Sequence, residues 1–294
     1  MTSIGHDEII KACKDGDASA VARLLDESPE LLTPALWPRA IFQGQSLGVT
    51  RLLLDRGLCP DECSAPRKPL HLAASREKLD IVRLLLERGA RLDVLDGENI
   101  TPYELMVCFH PASPAREELR QLFRDAGAKD TIFTHIYLGH DREAVAMLRA
   151  HPTLVSAHGP VWFTPLQTAA RAARPAVVKA LLEAGAPVDD PRPNACSALW
   201  LVAQSDADAA RRIDVATQLL DAGADPCRLC DEDQSTPLHY AAYRGPVAMI
   251  ELLLSRGAKA GQKDKAGKTA LYYARECQPI EKQQIIEFLE RPAP

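Results

Sequence analysis

The chain has 294 residues and a net charge of −5, with 46% hydrophobic but only 5% aromatic residues. The acidic balance argues against a nucleic-acid partner, which needs a basic surface, and no apolar run approaches the roughly 18 residues that cross a bilayer. Ala and Leu dominate the apolar fraction, which suits short, closely packed helices and not an aromatic β core.

The start, Met1-Thr-Ser-Ile-Gly-His-Asp-Glu, lacks the basic residues and apolar segment of a secretion signal, so a cytoplasmic location is expected. The eight cysteines are accordingly expected to be reduced. The first predicted helix sets Asp7, Glu8, Lys11 and Lys14 around Ile9, Ile10 and Ala12, as a solvent-facing cap would. Leu36-Trp-Pro-Arg39 then stands where a better-formed motif recurs downstream. Lys68-Pro-Leu-His-Leu-Ala-Ala74 leads into an apolar helix ending Leu84-Leu-Leu-Glu-Arg-Gly89-Ala90. Thr101-Pro-Tyr-Glu104 is a divergent version, followed by a proline-bearing insert, His110-Pro-Ala-Ser-Pro114, that must leave the helical path.

Thr164-Pro-Leu-Gln-Thr-Ala-Ala170 leads to Leu181-Leu-Glu-Ala-Gly185-Ala186, and Thr236-Pro-Leu-His-Tyr-Ala-Ala242 leads to Leu252-Leu-Leu-Ser-Arg-Gly257-Ala258. Between them Ser205-Asp-Ala-Asp-Ala-Ala-Arg-Arg212 is a helix-compatible insert that could lengthen either neighbouring helix. The last amphipathic run, Ile280 to Arg291, reads as a second cap. Glycines at the ends of the longer helices (Gly57, Gly89, Gly127, Gly185, Gly223, Gly257) suit the left-handed conformation that terminates a helix.

This period of about 33 residues and the Thr-Pro-Leu-His-x-Ala motif resemble the ankyrin repeat family. The resemblance implies an all-α helical repeat solenoid with short β-hairpin-like turns, about nine repeats long. Units are expected near 1–33, 34–65, 66–97, 98–128, 129–158, 159–192, 193–230, 231–263 and 264–294. The first and fifth share a pattern (Ile9-Ile10, Gly16, Pro29 against Ile132-Phe133, Gly139, Pro152), so residues 1–128 and 129–294 read as two blocks of one array with a bend near 125–135. Glu77 stands where the family has Gly between its helices, so that turn is expected to be strained or longer. In the family the motif His, here His71 and His239, hydrogen-bonds across to the neighbouring turn.

Four patterns could carry chemistry. Gly44-Gln-Ser46-Leu-Gly48 matches a nucleophile elbow, but that motif needs a strand before the Ser, and here it falls in a turn between helices. Gly267-Lys268-Thr269 ends like a phosphate-binding loop, yet Gln262 occupies the position of the required first Gly. His135, His140, His151 and His158 lie close in sequence without a metal-ligand spacing. Cys227-Arg-Leu-Cys230 has such a spacing, and Cys196 could approach it from the neighbouring hairpin, but no fourth ligand is evident.

The leading reading is therefore a non-catalytic scaffold, adaptor or inhibitor that binds a protein partner as a monomer, with no cofactor, nucleic acid or membrane. The alternative is a metal- or redox-responsive module using Cys196, Cys227 and Cys230. By resemblance, specificity falls on positions flanking the motif along the concave hairpin and first-helix face. These are Arg67, Ser75 and Arg76; Val161, Trp162, Phe163, Arg171 and Ala172; Gln204 and Ser205; and Glu232, Asp233, Ser235, Tyr243 and Arg244. Trp, Tyr and Arg are the residue types that dominate binding hot spots. Either Trp162 and Phe163 are both exposed for a partner, or one of them turns inward to plug a loose contact. Trp200, in place of the motif His, is expected in the core.

Overall fold

The computed structural model describes residues 2–108, 113–190, 192, 196–230, 233–276 and 282–290, and every regular element among them is helical. The chain divides into two compact units, residues 1–130 with 160–162, and residues 131–159 with 163–294. Of the two prolines in the 110–114 insert, Pro111 lies outside the described residues, and Pro114 opens a helix.

In the first unit α1 (Thr2–Asp15) packs on α2 (Ala18–Glu27), whose N-cap Asp17 accepts the Ala20 N–H at 2.9 Å. The atypical Leu36-Trp-Pro-Arg39 stretch does not form an ordinary first helix. A tight turn at Pro34–Leu36 runs into a π-helical segment, Pro38–Gln43, before α3 (Leu47–Asp55). Trp37 is fully buried there, and its indole N–H donates to the Cys59 carbonyl at 3.2 Å. Two regular pairs follow: α4 (Pro69–Ser75) with α5 (Leu79–Glu87), and α6 (Pro102–Cys108) with α7 (Pro114–Asp125). One row stacks α1, the π-helical segment, α4 and α6, and a second row stacks α2, α3, α5 and α7.

The second unit repeats this arrangement. Its pairs are α8 (Ile132–Leu138) with α9 (Asp141–Ala150), and α10 (Pro165–Arg171) with α11 (Pro175–Glu183). They continue as α12 (Ala198–Gln204) with α13 (Ala209–Asp221), α14 (Pro237–Arg244) with α15 (Val247–Ser255), and α16 (Ala270–Glu276) with α17 (Lys282–Glu290). The first helices α8, α10, α12, α14 and α16 form one row, and α9, α11, α13, α15 and α17 the other. Ala169, Ala170, Ala241 and Ala242 are fully buried between first helices, where a larger side chain would hold the layers apart. Leu181, Leu219 and Leu253 occupy the same place in successive second helices and are also fully buried, each contributing about 2 kcal/mol of apolar burial.

The local grammar explains why these short helices start and stop where they do. Pro sits at the first helical turn of α4, α10 and α14, where its missing N–H costs nothing. The six helix-ending glycines have φ between 83° and 98°, the left-handed region that only Gly enters without a Cβ clash. Glu77 and Ala173 adopt φ of 55° and 47° between paired helices, so the strain expected at Glu77 is present and recurs at Ala173. Arg116 Nη2 ion-pairs with Glu77 at 2.6 Å, a use of the side chain that Gly could not supply.

Backbone bonds close the hairpin-like turns: Asp96 N–H to Ile100 O, Cys230 N–H to Ser235 O, and Asp264 N–H to Lys268 O, at 2.8–3.0 Å. In α4, α10, α12 and α14 the fourth motif residue ties the first helix to the next turn. His71 Nε2–H donates to Ile100 O at 2.8 Å, and His239 Nε2–H to Lys268 O at 3.1 Å. Gln167 does the same with its amide, donating to Cys196 O at 2.8 Å. Trp200, buried as expected, reaches further, its indole N–H donating to Ser235 Oγ at 2.9 Å.

Both histidines have their pKa pushed below the ordinary 6.5, first by burial. A base with a depressed folded-state pKa leaves the unfolded chain binding the extra proton, so its neutral form stabilises fully above about pH 6.5 and that stability is lost as pH falls. Urea midpoints are therefore expected to fall between pH 7.5 and about pH 5. A variant with Gln at both positions should show a flatter profile over the same range.

Candidate protein-binding face

The C-terminal ends of α10, α12 and α14 lie side by side in the second unit and present Arg171, Gln204, Tyr243 and Arg244 to one groove. Tyr137 of α8 and Arg174, at the start of α11, complete its wall, and the groove encloses about 580 Å³. Ser205, Asp206 and Ala207 form its rim. Of the two extensions the insert allows, the second helix takes it: residues 205–208 make a loop, and residues 209–212 lengthen α13 to 13 residues against 9 in α11 and α15.

Three arginines of the groove have partners within the second unit. Arg244 Nη1 donates to Asp206 Oδ1 at 2.6 Å, and the Asp206 side chain is 91% exposed. Arg174 Nε donates to Ile136 O at 3.1 Å. The Arg171 guanidinium stands 6.0 Å from the centre of the Phe163 ring. Beneath the floor Arg212 is buried and donates to the Val202 and Ala203 carbonyls at 3.3 and 2.7 Å. Burial pushes its pKa down, and Arg244 acts in the same direction.

Beside this groove, toward the hairpins, lies a second depression lined by Asp233, Ser235, His239, Tyr240, Tyr243 and Tyr273. Tyr273 Oη–H donates to Asp264 Oδ2 at 2.6 Å, and that bond carries the phenol pKa up to about 12. Tyr243 is 44% exposed with its ring 6.5 Å from and nearly perpendicular to that of Tyr273, so it presents one face to solvent and packs the other edge.

The expected contact residues thus fall into three groups. Arg171, Tyr243, Arg244, Ala172, Gln204 and Ser205 converge on the groove. Arg67, Ser75 and Arg76 lie on the first unit: Arg67 pairs with Asp96 at 3.6 Å, Ser75 Oγ–H donates to Leu72 O at 2.9 Å, and Arg76 stacks 3.7 Å over exposed Phe42. Val161 and Trp162 also belong to the first unit. Both have positive φ, the Val161 N–H donates to Glu98 O at 2.9 Å, and Trp162 is 52% exposed. Asp233 is half-buried and its Oδ1 accepts the Ser235 N–H at 3.0 Å. Glu232 lies outside the described residues.

Ser235 is buried at the base of the second depression, where its hydroxyl accepts the Trp200 indole N–H. Of the Trp162–Phe163 pair, Phe163 is the half-buried member, packed against the cluster of Trp200, Leu201 and Cys230. Phe42 is exposed at the end of the π-helical segment and was not anticipated. Its repeat lacks the motif, so nothing in the sequence marked its orientation.

The cysteine reading also changes. Cys196 and Cys230 form a disulfide, 34 residues apart, so they are not reduced and offer no thiolates for a metal. The hairpins of successive repeats bring their Cα atoms to 4.5 Å, within bridging range. Cys227 stays a free thiol, its Sγ 3.4 Å from the Gly257 carbonyl. Among the described residues no group of three or more His, Cys, Asp or Glu could hold a metal ion.

Ser46 and Lys268 have structural partners. Ser46 is the N-cap of α3, accepting the Val49 N–H at 3.2 Å, and its hydroxyl donates to Gly16 O. Ser46→Ala should lower the unfolding free energy by about 1 kcal/mol, read from urea titration, which is the cost of a lost N-cap. Lys268 places its ammonium 4.1 Å over the Tyr272 ring, in the hairpin turn closed by Asp264.

The repeated helix pairs, their glycine-ended second helices and the cross-layer motif residue define a repeat protein of the ankyrin class. The family profile described as "Ankyrin repeats (3 copies)" matches residues 9–96 and 207–291, and that for "Ankyrin repeat" matches residues 162–192. The chain belongs to the ankyrin repeat family, and with it to the protein–protein interaction modules. Ankyrin repeat and SOCS box protein 16 of Homo sapiens is 32% identical over 224 residues, covering 75% of this chain and 43% of that protein. The Mus musculus protein of the same name is 30% identical over the same shares. E3 ubiquitin-protein ligase hecd-1 of Caenorhabditis elegans is 40% identical over 72 residues, 22% of this chain and 3% of that protein. The chain thus spans less than half the length of these curated relatives. Among the described residues no helix is long and apolar enough to cross a membrane.

Proposed function

We propose that the chain is a non-catalytic scaffold, adaptor or inhibitor that engages a protein partner on the first-helix ends and hairpins, acting as a monomer without nucleic acid or membrane. The observation that carries this reading is the groove at the ends of α10, α12 and α14, where Tyr137, Arg171, Tyr243 and Arg244 converge. Exposed Tyr and Arg set in a depression combine apolar area with directed polar groups, the composition of binding hot spots. Nucleophile-like and phosphate-loop-like patterns elsewhere are absorbed by caps and turns, so no competing chemistry is needed to account for them.

The test is affinity capture from the source organism's lysate, comparing the native chain with a Tyr243→Ala, Arg244→Ala variant whose helicity and urea midpoint match. A protein retained by the native chain and lost by the variant is the expected result. A partner retained equally by both would place the interface elsewhere, and substrate turnover by the purified chain would overturn the non-catalytic reading.

The disulfide favours a second, redox-responsive reading. Cys196–Cys230 joins successive hairpins beside Phe163, Trp200 and Tyr240. Reduction by a dithiol, itself oxidised to a cyclic disulfide, would return two thiols and release that strap. Capture unchanged by added dithiol would end this reading.

A further inference from the structure

We propose that the groove at the ends of α10, α12 and α14 seats an acidic, tyrosine-bearing segment of a partner protein. The inference rests on the protein-binding reading above and adds the chemistry of the partner. A chain of net charge −5 would be expected to repel a partner rich in carboxylates, yet the lining of this groove has the opposite sign. Its lining carries Arg171, Arg174 and Arg244 against one lining carboxylate, Asp206, while Asp141, outside the lining, stands 3.9 Å from Arg174. Arg212 adds a buried guanidinium behind the floor that is spent on backbone carbonyls instead of a carboxylate. The carbonyl ends of short helices would repel an anion, but Arg212 covers those of Val202 and Ala203 at the end of α12.

The one acidic group on the wall is also the most easily displaced. Asp206 sits on the rim loop with a side chain 91% exposed, and it is held to the groove by Arg244. An exposed ion pair of this kind is worth about 0–1 kcal/mol, so an incoming carboxylate can take the place of Asp206 on Arg244 at little cost. Tyr137, Tyr240 and Tyr243 supply the aromatic walls against which an aromatic side chain of the segment would pack. A volume of about 580 Å³ falls within the range of about 300–1,000 Å³ typical of ligand clefts. Charge complementarity of this type sets specificity and encounter rate and fades with salt.

The experiment uses a fluorescein-labelled random copolymer of Glu and Tyr, read by anisotropy. A Lys–Tyr copolymer, inorganic polyphosphate and a single-stranded oligonucleotide serve as competitors. The Glu–Tyr copolymer is expected to bind saturably, weaken several-fold between about 50 and 300 mM salt, and lose about tenfold in affinity in Arg171→Glu, Arg244→Glu protein. Arg91→Glu, on the first unit, should leave binding unchanged. Asp206→Asn should tighten it about threefold, a gain that misfolding cannot produce. Absence of binding, equal binding by the double-charge-reversal protein, or stronger competition by polyphosphate or oligonucleotide would each overturn the proposal. A partner captured from lysate through Tyr243 and Arg244 but not displaced by the Glu–Tyr copolymer would overturn this inference alone and leave the protein-binding reading standing. A partner equally retained by the Tyr243→Ala, Arg244→Ala chain would sink that reading instead.

Discussion

His239→Ala is expected to lower the unfolding free energy by about 2–4 kcal/mol, read as a drop in urea midpoint at unchanged slope. The imidazole is 2% exposed and joins three elements. Its Nδ1 accepts the Thr236 N–H at 3.1 Å, its Nε2–H donates to Lys268 O at 3.1 Å in the following turn, and its ring meets the edge of Tyr273 at 5.8 Å. Truncation leaves a buried donor and a carbonyl unpaired and opens a cavity between layers. The same motif position gives its own control. Gln167 accepts the Thr164 N–H at Oε1 and donates from Nε2 to Cys196 O, reproducing both bonds with an amide. His239→Gln should therefore cost under about 1 kcal/mol while also removing the group that titrates. Equal losses for Ala and Gln would show that packing alone, and not the two hydrogen bonds, holds the layer.

Opening the Cys196–Cys230 bridge is expected to cost about 2–4 kcal/mol, the range for closing a loop of this length in the unfolded chain. Cys230→Ser and a dithiol applied to the native protein should give similar losses, and the dithiol should have no further effect on the variant. Non-reducing digestion followed by mass spectrometry should recover a peptide pair joined through these two residues. The loss should fall on the 163–240 region, since Cys230 packs with Trp200 and Leu201 and its N–H holds the hairpin at Ser235. Recovery of both thiols unpaired from protein purified without reductant would remove the strap from this account.

The repeat architecture was legible because it rests on short-range rules: Pro at the first turn, small residues between layers, Gly past each helix. The role of His71 and His239 followed from the same motif. What the motif leaves free was harder to read. Phe163 and Trp162 are neighbours of similar character, yet one packs against Trp200 and the other is half-exposed, a choice made by tertiary contacts with residues far away in sequence. Ser235 looked like a surface position until the indole of Trp200, 35 residues earlier, claimed its hydroxyl. The disulfide was missed because Cys196 and Cys230 meet only through the stacking of successive hairpins, while Cys227 and Cys230 carried the visible spacing. The groove itself combines ends of α8, α10, α12 and α14 with the 205–208 loop, and the insert's division between loop and helix was open in the sequence.

A partner seated on the first-helix ends of the second unit would leave its mark in hydrogen–deuterium exchange, compared between the chain alone and the chain bound to its captured partner. Protection is expected to concentrate at the C-terminal turns of α10, α12 and α14 and in the 205–208 loop, with α11, α13 and α15 unchanged. Protection confined to that second-helix row, with the groove exchanging as in the free chain, would contradict that seating.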